Sequence, residues 1–305
     1  MAEAQQSIKP EACPRMMLNS GHQIPVVGLG TFKNKEQTCA LVKSAILEHG
    51  YRHIDTARVY ENEGEIGQAL EECMQAGVTR EELFITTKLW MSGYDDIEGT
   101  CRESLRLLKL EYLDCYMIHW MLLPLDFDSE DWMPKTPPFH VIWQQMESLV
   151  DKGLVRSIAV SNCTIPMMIN LLAGCRIKPC MNQVELNPYI TQPDVLRFHK
   201  KWGIALEGYA TIGGDGAGML SDPVLNEIAT AKGCSPAQVA ISWGVRRGTI
   251  PLIKTSNHAR LTENMASVNV ELTDEEVDKI DALNKNMRKF DPINWGGQRN
   301  LPYFF

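Results

Sequence analysis

Eight short apolar segments, each followed by a segment with helical periodicity, constrain the fold of this chain more than any other feature. The segments are residues 24–30, 51–57, 83–90, 113–120, 154–162, 180–186, 204–210 and 248–255. They are continuously apolar rather than strictly alternating, which is typical of parallel strands that are covered on both faces. Between them, apolar residues recur at helical spacing, as Ile66, Ala69, Leu70 and Cys73 do. This alternation predicts an α/β fold.

Eight strand–helix units favour a closed (β/α)8 TIM barrel over a doubly wound open sheet. The open sheet would be indicated by a GxGxxG turn after the first strand, but residues 28–32 are GLGTF and lack the third glycine. Long loops are predicted at 121–139 and 211–222, after the fourth and seventh strands. We therefore predict a single barrel domain over residues 1–305, with a flexible extension at 1–15 and a C-terminal tail.

Two helix starts carry the pattern of a capping box, in which an N-cap side chain and the residue three positions later bond each other's backbone. Asn62 and Glu65 show this pattern before the helix that follows the second strand. Thr273 and Glu276 show it before an apolar stripe near the C-terminus. The second pattern predicts an extra helix beyond the eight barrel units.

Composition and charge exclude several classes of protein. The formal net charge is −8 and the pI is about 5.5, whereas nucleic-acid binding requires a basic face. No apolar run approaches the ~20 residues that span a bilayer, and the first residues lack the regions of a signal peptide. The nine cysteines include no CxxC pair, which argues against a metal site or a disulfide framework. These features predict a cytoplasmic protein without a membrane, nucleic-acid or metal partner.

Four polar residues at or just beyond the ends of three consecutive predicted strands form the candidate catalytic group: Asp55, Tyr60, Lys88 and His119. Each alone has an ordinary structural explanation, but neighbouring strands are about 4.8 Å apart and can bring all four into one pocket. A buried lysine and aspartate are costly unless they pair. A nearby ammonium lowers the pKa of a phenol, so we predict Tyr60 as the acid that protonates a carbonyl oxygen. We expect His119 to be neutral and to orient that carbonyl.

Several motifs resemble those of the aldo-keto reductase superfamily. They are GYRHIDTARVYENEGEIGQAL (50–70), LFITTKLW (83–90), MIHW (117–120), SIAVSN (157–162), NQVELNPY (182–189) and IKTSNHARLTEN (253–264). They occur in family order from about Leu18 onward, and the tail is similar to that of aldose and xylose reductases. Other segments resemble plant aldose-6-phosphate reductases. The resemblance implies the barrel fold, a complete catalytic tetrad, and NADPH-dependent reduction of an aldehyde or aldose to the alcohol.

The resemblance also implies a binding site for NADPH or NADP. Its residues would be Thr31, Asp55, Ser161, Asn162, Gln183, Tyr209, Lys254, Thr255, Ser256, Arg260, Glu263 and Asn264. Family members use the serine, asparagine and glutamine for the nicotinamide carboxamide and the tyrosine to stack on the ring. Lys254 and Arg260 add two cations for a 2′-phosphate, which favours NADPH and leaves NADH as an additional cofactor.

The substrate pocket is the part of the site that the sequence defines least. Its predicted wall consists of Phe32, Val59, Trp90, Trp120 and Asn294. Aromatic and apolar walls suit many small carbonyl compounds. The alternatives to an aldose reductase are therefore a broad-specificity detoxifying aldehyde reductase, a sugar-phosphate reductase and a non-catalytic cofactor-binding partner protein. The complete tetrad argues against the last of these.

Overall fold

The computed structural model describes residues 13–33, 37–121, 137–214, 218–292 and 303–304. The strands are β1 (Arg15–Met17), β2 (Gln23–Pro25), β3 (Gly28–Gly30), β4 (His53–Asp55), β5 (Phe84–Leu89), β6 (Leu113–Ile118), β7 (Val155–Ser161), β8 (Met181–Glu185), β9 (Ala205–Tyr209) and β10 (Ile250–Lys254). Strands β3 to β10 form a closed parallel barrel in the order β10, β3, β4, β5, β6, β7, β8, β9. The predicted (β/α)8 barrel is confirmed.

Helices surround the barrel. They are α1 (Thr38–Leu47), α2 (Glu63–Gln75), α3 (Ile97–Leu108), α4 (Phe139–Asp151), α5 (Ile165–Gly174), α6 (Pro193–Trp202), α7 (Pro223–Lys232), α8 (Pro236–Arg246), α9 (Ala259–Met265) and α10 (Asp274–Asp281). Helix α10 is the predicted extra helix, and its capping box is confirmed: Glu276 N donates to Thr273 Oγ1 and Thr273 N donates to Glu276 Oε2. The described part of the chain has no helix long and apolar enough to cross a membrane.

A small antiparallel hairpin precedes the barrel and changes two of the predicted boundaries. The predicted first strand over 24–30 is in fact two elements, because its first residues belong to β2 and pair with β1. Arg15 already pairs with Pro25, and Cys13 is only 6% exposed. The flexible extension predicted at 1–15 is therefore wrong for its last three residues, while residues 1–12 lie outside the described ranges.

The largest core lies between the barrel and the helices. On α2, Ile66, Ala69, Leu70 and Cys73 are fully buried, as their helical spacing predicts. Each large apolar side chain buried in this way contributes roughly 1.5–3 kcal/mol. This layer fixes the helices against the strands and so determines where the loops at the strand ends lie.

The interior of the barrel is apolar at one end and polar at the other. Phe84, Met181 and Ile250, at the N-terminal ends of their strands, pack with Leu18 and Ile24 of the hairpin region. The hairpin therefore closes the N-terminal end of the barrel. Polar side chains lie at the C-terminal end of the barrel. Barrels of this type carry their active sites at that end.

Asn62 precedes α2 without capping it. Its side chain is buried; it accepts a hydrogen bond from Thr56 Oγ1 at 2.8 Å and donates one to the Thr31 carbonyl at 3.0 Å. The capping box predicted with Glu65 is therefore wrong, because both polar atoms of the Asn62 amide are used elsewhere. Asn62 instead joins the loop after β3 to the loop after β4.

Candidate active site

Asp55 and Lys88 form a buried ion pair at the C-terminal end of the barrel. Asp55 ends β4, and Lys88 lies on the neighbouring strand β5. Lys88 Nζ donates to the two carboxylate oxygens of Asp55 at 2.6 and 2.7 Å and to the Thr56 carbonyl at 2.9 Å. All three ammonium hydrogens have acceptors, as a buried charge requires. Burial is the largest single influence on Lys88 and lowers its pKa, but the charge of Asp55, the neighbouring Tyr60 and the hydrogen bond to Asp55 together raise the pKa above its ordinary value, so the ammonium stays charged.

Tyr60 lies above this ion pair, in the short 3-10 turn Arg58–Tyr60 that follows β4. The centroid of its ring is 5.3 Å from Lys88 Nζ and 5.7 Å from the centroid of the His119 ring, which it meets edge to face. Burial raises the pKa of Tyr60 and outweighs the lowering effect of the Lys88 charge. The predicted direction of this shift is therefore wrong, and the phenol is protonated at neutral pH.

His119 completes the group. It follows β6, and its backbone N–H donates to the Leu89 carbonyl at 3.1 Å. Burial, and then the charge of Lys88, hold the pKa of His119 well below its ordinary value, so the ring is neutral as predicted. Among the described residues no partner bonds its Nδ1 atom. The structure thus brings all four predicted catalytic residues together at one end of the barrel.

A second set of polar side chains comes from the end of β7, the middle of β8 and the end of β9. Tyr209 donates its hydroxyl to Asn162 Oδ1 at 2.8 Å, and Asn162 Nδ2 donates to the His119 carbonyl at 3.1 Å. Ser161 Oγ donates to the Gln183 carbonyl at 2.9 Å. The side chain of Gln183 donates to Asp55 Oδ2 at 2.8 Å. These bonds connect the predicted carboxamide-binding residues directly to the ion pair.

The predicted phosphate- and adenine-binding segment runs from the end of β10 through α9. Lys254, Ser256 and Arg260 are exposed, so two cations are accessible to a ligand here. Thr255 is buried, and its hydroxyl accepts a hydrogen bond from the backbone N–H of Asn257 at 3.0 Å. This turn fixes the exit of the chain from β10 and thereby the position of Lys254.

The other residues predicted to contact the cofactor are more enclosed. Asn264 is buried, and Glu263 accepts a hydrogen bond from Ser235 at the start of α8. Thr31 is buried beneath the loop after β3 and donates its hydroxyl to the Asp55 carbonyl at 3.0 Å. Thr31 therefore supports the backbone of the ion pair directly.

Two of the aromatic residues predicted for the substrate wall lie against the tetrad. The Phe32 ring lies 4.9 Å from that of Tyr60, and the Trp90 ring 5.1 Å from that of His119. Phe32 and Val59 are each 41% exposed, so they lie at the rim. Trp120 is buried and packs edge to face on Tyr303 at 5.0 Å. Asn294, the fifth predicted wall residue, lies outside the described residues.

A model of the aldo/keto reductase family matches residues 26–285. The chain belongs to this family. It is 38% identical to aldose reductase B of Dictyostelium discoideum, over 90% of this chain and 93% of that protein. It is 35% identical to glycerol 2-dehydrogenase (NADP(+)) of Saccharomyces cerevisiae, over 92% and 94%. The crystal structure of a Bombyx mori aldo-keto reductase in complex with NADP matches with a TM-score of 0.86 and 35% identity, over 95% of this chain and 97% of that one. The resemblance read from the motifs is confirmed.

This aldo/keto reductase also buries two ionisable side chains inside the barrel that the sequence analysis did not single out. His53 begins β4 and Glu207 lies in the middle of β9, and neither side chain is exposed. Glu207 accepts a hydrogen bond from Gln183 Nε2 at 2.6 Å. The sequence does carry a signal for Glu207, which is an acidic residue inside an otherwise apolar predicted strand.

Proposed function

We propose that this chain reduces the carbonyl group of an aldehyde or aldose to an alcohol with NADPH, with Tyr60 as the general acid. The observation that carries this proposal is the arrangement of Lys88, which is held by Asp55 and lies beside the Tyr60 ring. A neutral His119 meets the same ring edge to face. Membership of the aldo/keto reductase family supports the same reaction class.

The residues at the ends of β7 to β10 fit a nicotinamide dinucleotide. Tyr209 is half-buried and anchored through its hydroxyl, which suits a ring that stacks on a planar ligand. Exposed Lys254 and Arg260 suit a 2′-phosphate, which favours NADPH over NADH. The Bombyx mori relative was solved with NADP, and the yeast relative is named for NADP(+). When bound, the nicotinamide supplies the hydride.

The tetrad residues then have distinct tasks. Tyr60 donates its proton to the carbonyl oxygen as negative charge develops there. Lys88 stabilises the phenolate that remains, and Asp55 keeps Lys88 charged and in place. His119, as a neutral imidazole, donates a hydrogen bond that orients the carbonyl before the reaction. Oxidation of an alcohol uses the same groups in reverse.

The aromatic wall favours small aldehydes with a modest polar part. Phe32, Trp90 and Trp120 offer apolar contact around the tetrad. Asn294 is the residue we propose for a sugar hydroxyl. The name of the Dictyostelium discoideum relative supports an aldose. The same wall also suits a broad-specificity aldehyde reductase, and the two alternatives differ in their response to sugars.

The experiment that tests the proposal follows NADPH and NADH oxidation at 340 nm with xylose, a hexose, a hexose 6-phosphate, glyceraldehyde and a benzaldehyde. We expect turnover with NADPH, a smaller rate with NADH, and kcat/KM for xylose above that for benzaldehyde. If the sugars are not reduced but the aromatic aldehydes are, the broad-specificity function is assigned instead. Tight NADPH binding without turnover of any carbonyl would contradict an enzymatic role.

A further inference from the structure

Two buried groups that the proposed mechanism does not use face each other in the barrel interior below the tetrad. His53 Nε2 lies 3.3 Å from Glu207 Oε1, and neither side chain is exposed. The backbone of Pro25 lies within reach of the His53 ring, and among the described residues no group donates a hydrogen bond to Glu207 Oε1. A pair of ionisable groups so deeply buried is costly unless its charge is compensated. This cost therefore depends on which of the two side chains carries a proton.

Gln183 connects this pair to the tetrad. Its Nε2 atom donates to Glu207 Oε2 at 2.6 Å and to Asp55 Oδ2 at 2.8 Å. An amide nitrogen carries two hydrogens, so both are taken by carboxyl groups. The orientation of the amide is thereby fixed, and the side-chain oxygen of Gln183 is the atom left to accept a hydrogen bond from a ligand.

The charges in the interior indicate where one proton resides. Lys88 and Asp55 neutralise each other, so an ionised Glu207 would add an uncompensated negative charge. Burial, and then the charge of Asp55, raise the pKa of Glu207 to about 8. Burial lowers the pKa of His53 to about 3. At neutral pH the proton is therefore on Glu207, where Oε1–H faces His53 Nε2.

We propose that Glu207 is a positioning residue that, paired with His53, holds the Gln183 amide so that its oxygen faces the carboxamide hydrogens of the nicotinamide. The identity of the ligand in this inference rests on the proposed function. The contact between Glu207 and Gln183 does not depend on that function. A protonated Glu207 still accepts from Gln183 through its carbonyl oxygen. It also keeps a second negative charge away from the ion pair that supports Tyr60.

The first test examines the contact in the ligand-free protein. In protein labelled with 15N-glutamine, the side-chain amide of Gln183 is assigned by its loss in Gln183→Asn. We expect slow hydrogen exchange of this amide in the wild type and in Glu207→Gln, whose side-chain oxygen still accepts. In Glu207→Ala we expect exchange at least about tenfold faster, because one hydrogen bond is lost. Unchanged exchange in a folded Glu207→Ala variant would overturn the proposal.

The second test uses pH. The titratable or charged groups around Glu207 are His53 and Asp55 on β4, Lys88 on β5, Tyr60 after β4 and Cys115 on β6. In the wild type, the Gln183 amide shift should change between pH 6.5 and 9, as Glu207 loses its proton. Glu207→Gln should abolish this change, whereas a Glu207 that is already ionised at pH 6.5 would leave the two titrations alike and would overturn the placement of the proton. This comparison stands even if Glu207→Ala does not fold.

The third test separates this inference from the proposed function. NADPH dissociation constants are measured by fluorescence for wild type, Glu207→Gln and Glu207→Ala. We expect a change of less than about twofold for the glutamine variant and a rise of about tenfold for the alanine variant. Glu147→Gln, a buried glutamate on α4 that bonds backbone N–H groups of Arg176 and Ile177, is the matched control. A wild type that binds no NADPH would refute the proposed function, while the amide measurements would still decide the role of Glu207.

Discussion

At the scale of single residues, Tyr60 shows how burial and charge compete. Lys88 lowers the pKa of the phenol, but burial raises it by more, so the hydroxyl keeps its proton. A group that acts as an acid must be protonated before the reaction, and the ammonium then stabilises the phenolate that forms. In the proposed mechanism, the lysine therefore contributes most when charge develops on the phenol, rather than by ionising the resting tyrosine.

Tyr60→Phe tests this role, because it removes only the hydroxyl. We expect NADPH affinity to stay within about twofold and kcat for aldehyde reduction to fall about 10²- to 10⁴-fold, the usual contribution of a general acid. Tyr116→Phe is the matched control, since the buried Tyr116 hydroxyl has no hydrogen-bond partner among the described residues. Steady-state kinetics with glyceraldehyde provide the measurement. Wild-type turnover of Tyr60→Phe would remove Tyr60 from the mechanism.

That Asp55, Tyr60, Lys88 and His119 would lie together was predictable, whereas the partners of the polar residues beneath them were not. Polar side chains at the ends of apolar strands indicated Asp55 and Lys88, because burying such groups in isolation is costly. Glu207 and His53 lie within strands, where the sequence does not show which polar groups of other strands they will meet. That information exists only once the barrel closes and brings Gln183 between two carboxyl groups.

At the scale of elements, strand positions were predicted to within a few residues, but only one of the two predicted capping boxes forms. Each barrel strand lies inside its predicted segment, because continuous apolar runs mark strands covered on both faces. The capping box at Thr273 is exposed and depends only on local sequence, and it was predicted correctly. Asn62 has the same local pattern, but it is buried between two loops, and tertiary contacts take its side chain.

Asn62→Ala should therefore lower the free energy of unfolding by more than the loss of a helix cap does. The change leaves the Thr56 hydroxyl and the Thr31 carbonyl without their bonds, so we expect a loss of about 2–3 kcal/mol in the free energy of unfolding. Thr273→Ala, which removes a true N-cap, should cost about 1 kcal/mol. Urea denaturation of both variants checks the comparison. Equal losses would mean that Asn62 does not join the loops after β3 and β4.

At the scale of the whole molecule, buried ionisable groups make the stability depend on pH in two opposite directions. Burial lowers the pKa values of His53, His119 and His199, while the unfolded chain protonates histidine near 6.5. Below about pH 6.5 the unfolded state thus binds more protons, and stability falls as pH falls. Glu207 has the opposite sign: its pKa is about 4.3 in the unfolded chain and is raised to about 8 in the folded state, so its contribution is present below about pH 4.3 and is lost as pH rises to 8.

His199 offers the clearest test of the acid side, because it lies on α6 and bonds Asn182 of β8, and it is not one of the four tetrad residues. Its Nδ1–H donates to the Val195 carbonyl at 2.7 Å, so Nε2 accepts from Asn182 Nδ2 at 3.0 Å, and this arrangement requires a neutral ring.

A proton bound only by the unfolded state costs about 1.4 kcal/mol per pH unit. His199→Gln should lower stability at pH 7, yet lose less than the wild type between pH 7 and 5. Urea unfolding at both pH values measures the slopes, with the exposed His258→Gln as control. Equal slopes for His199→Gln and the wild type would show that His199 takes up its proton in the folded protein. The loss of stability at acid pH would then come from the histidines inside the barrel.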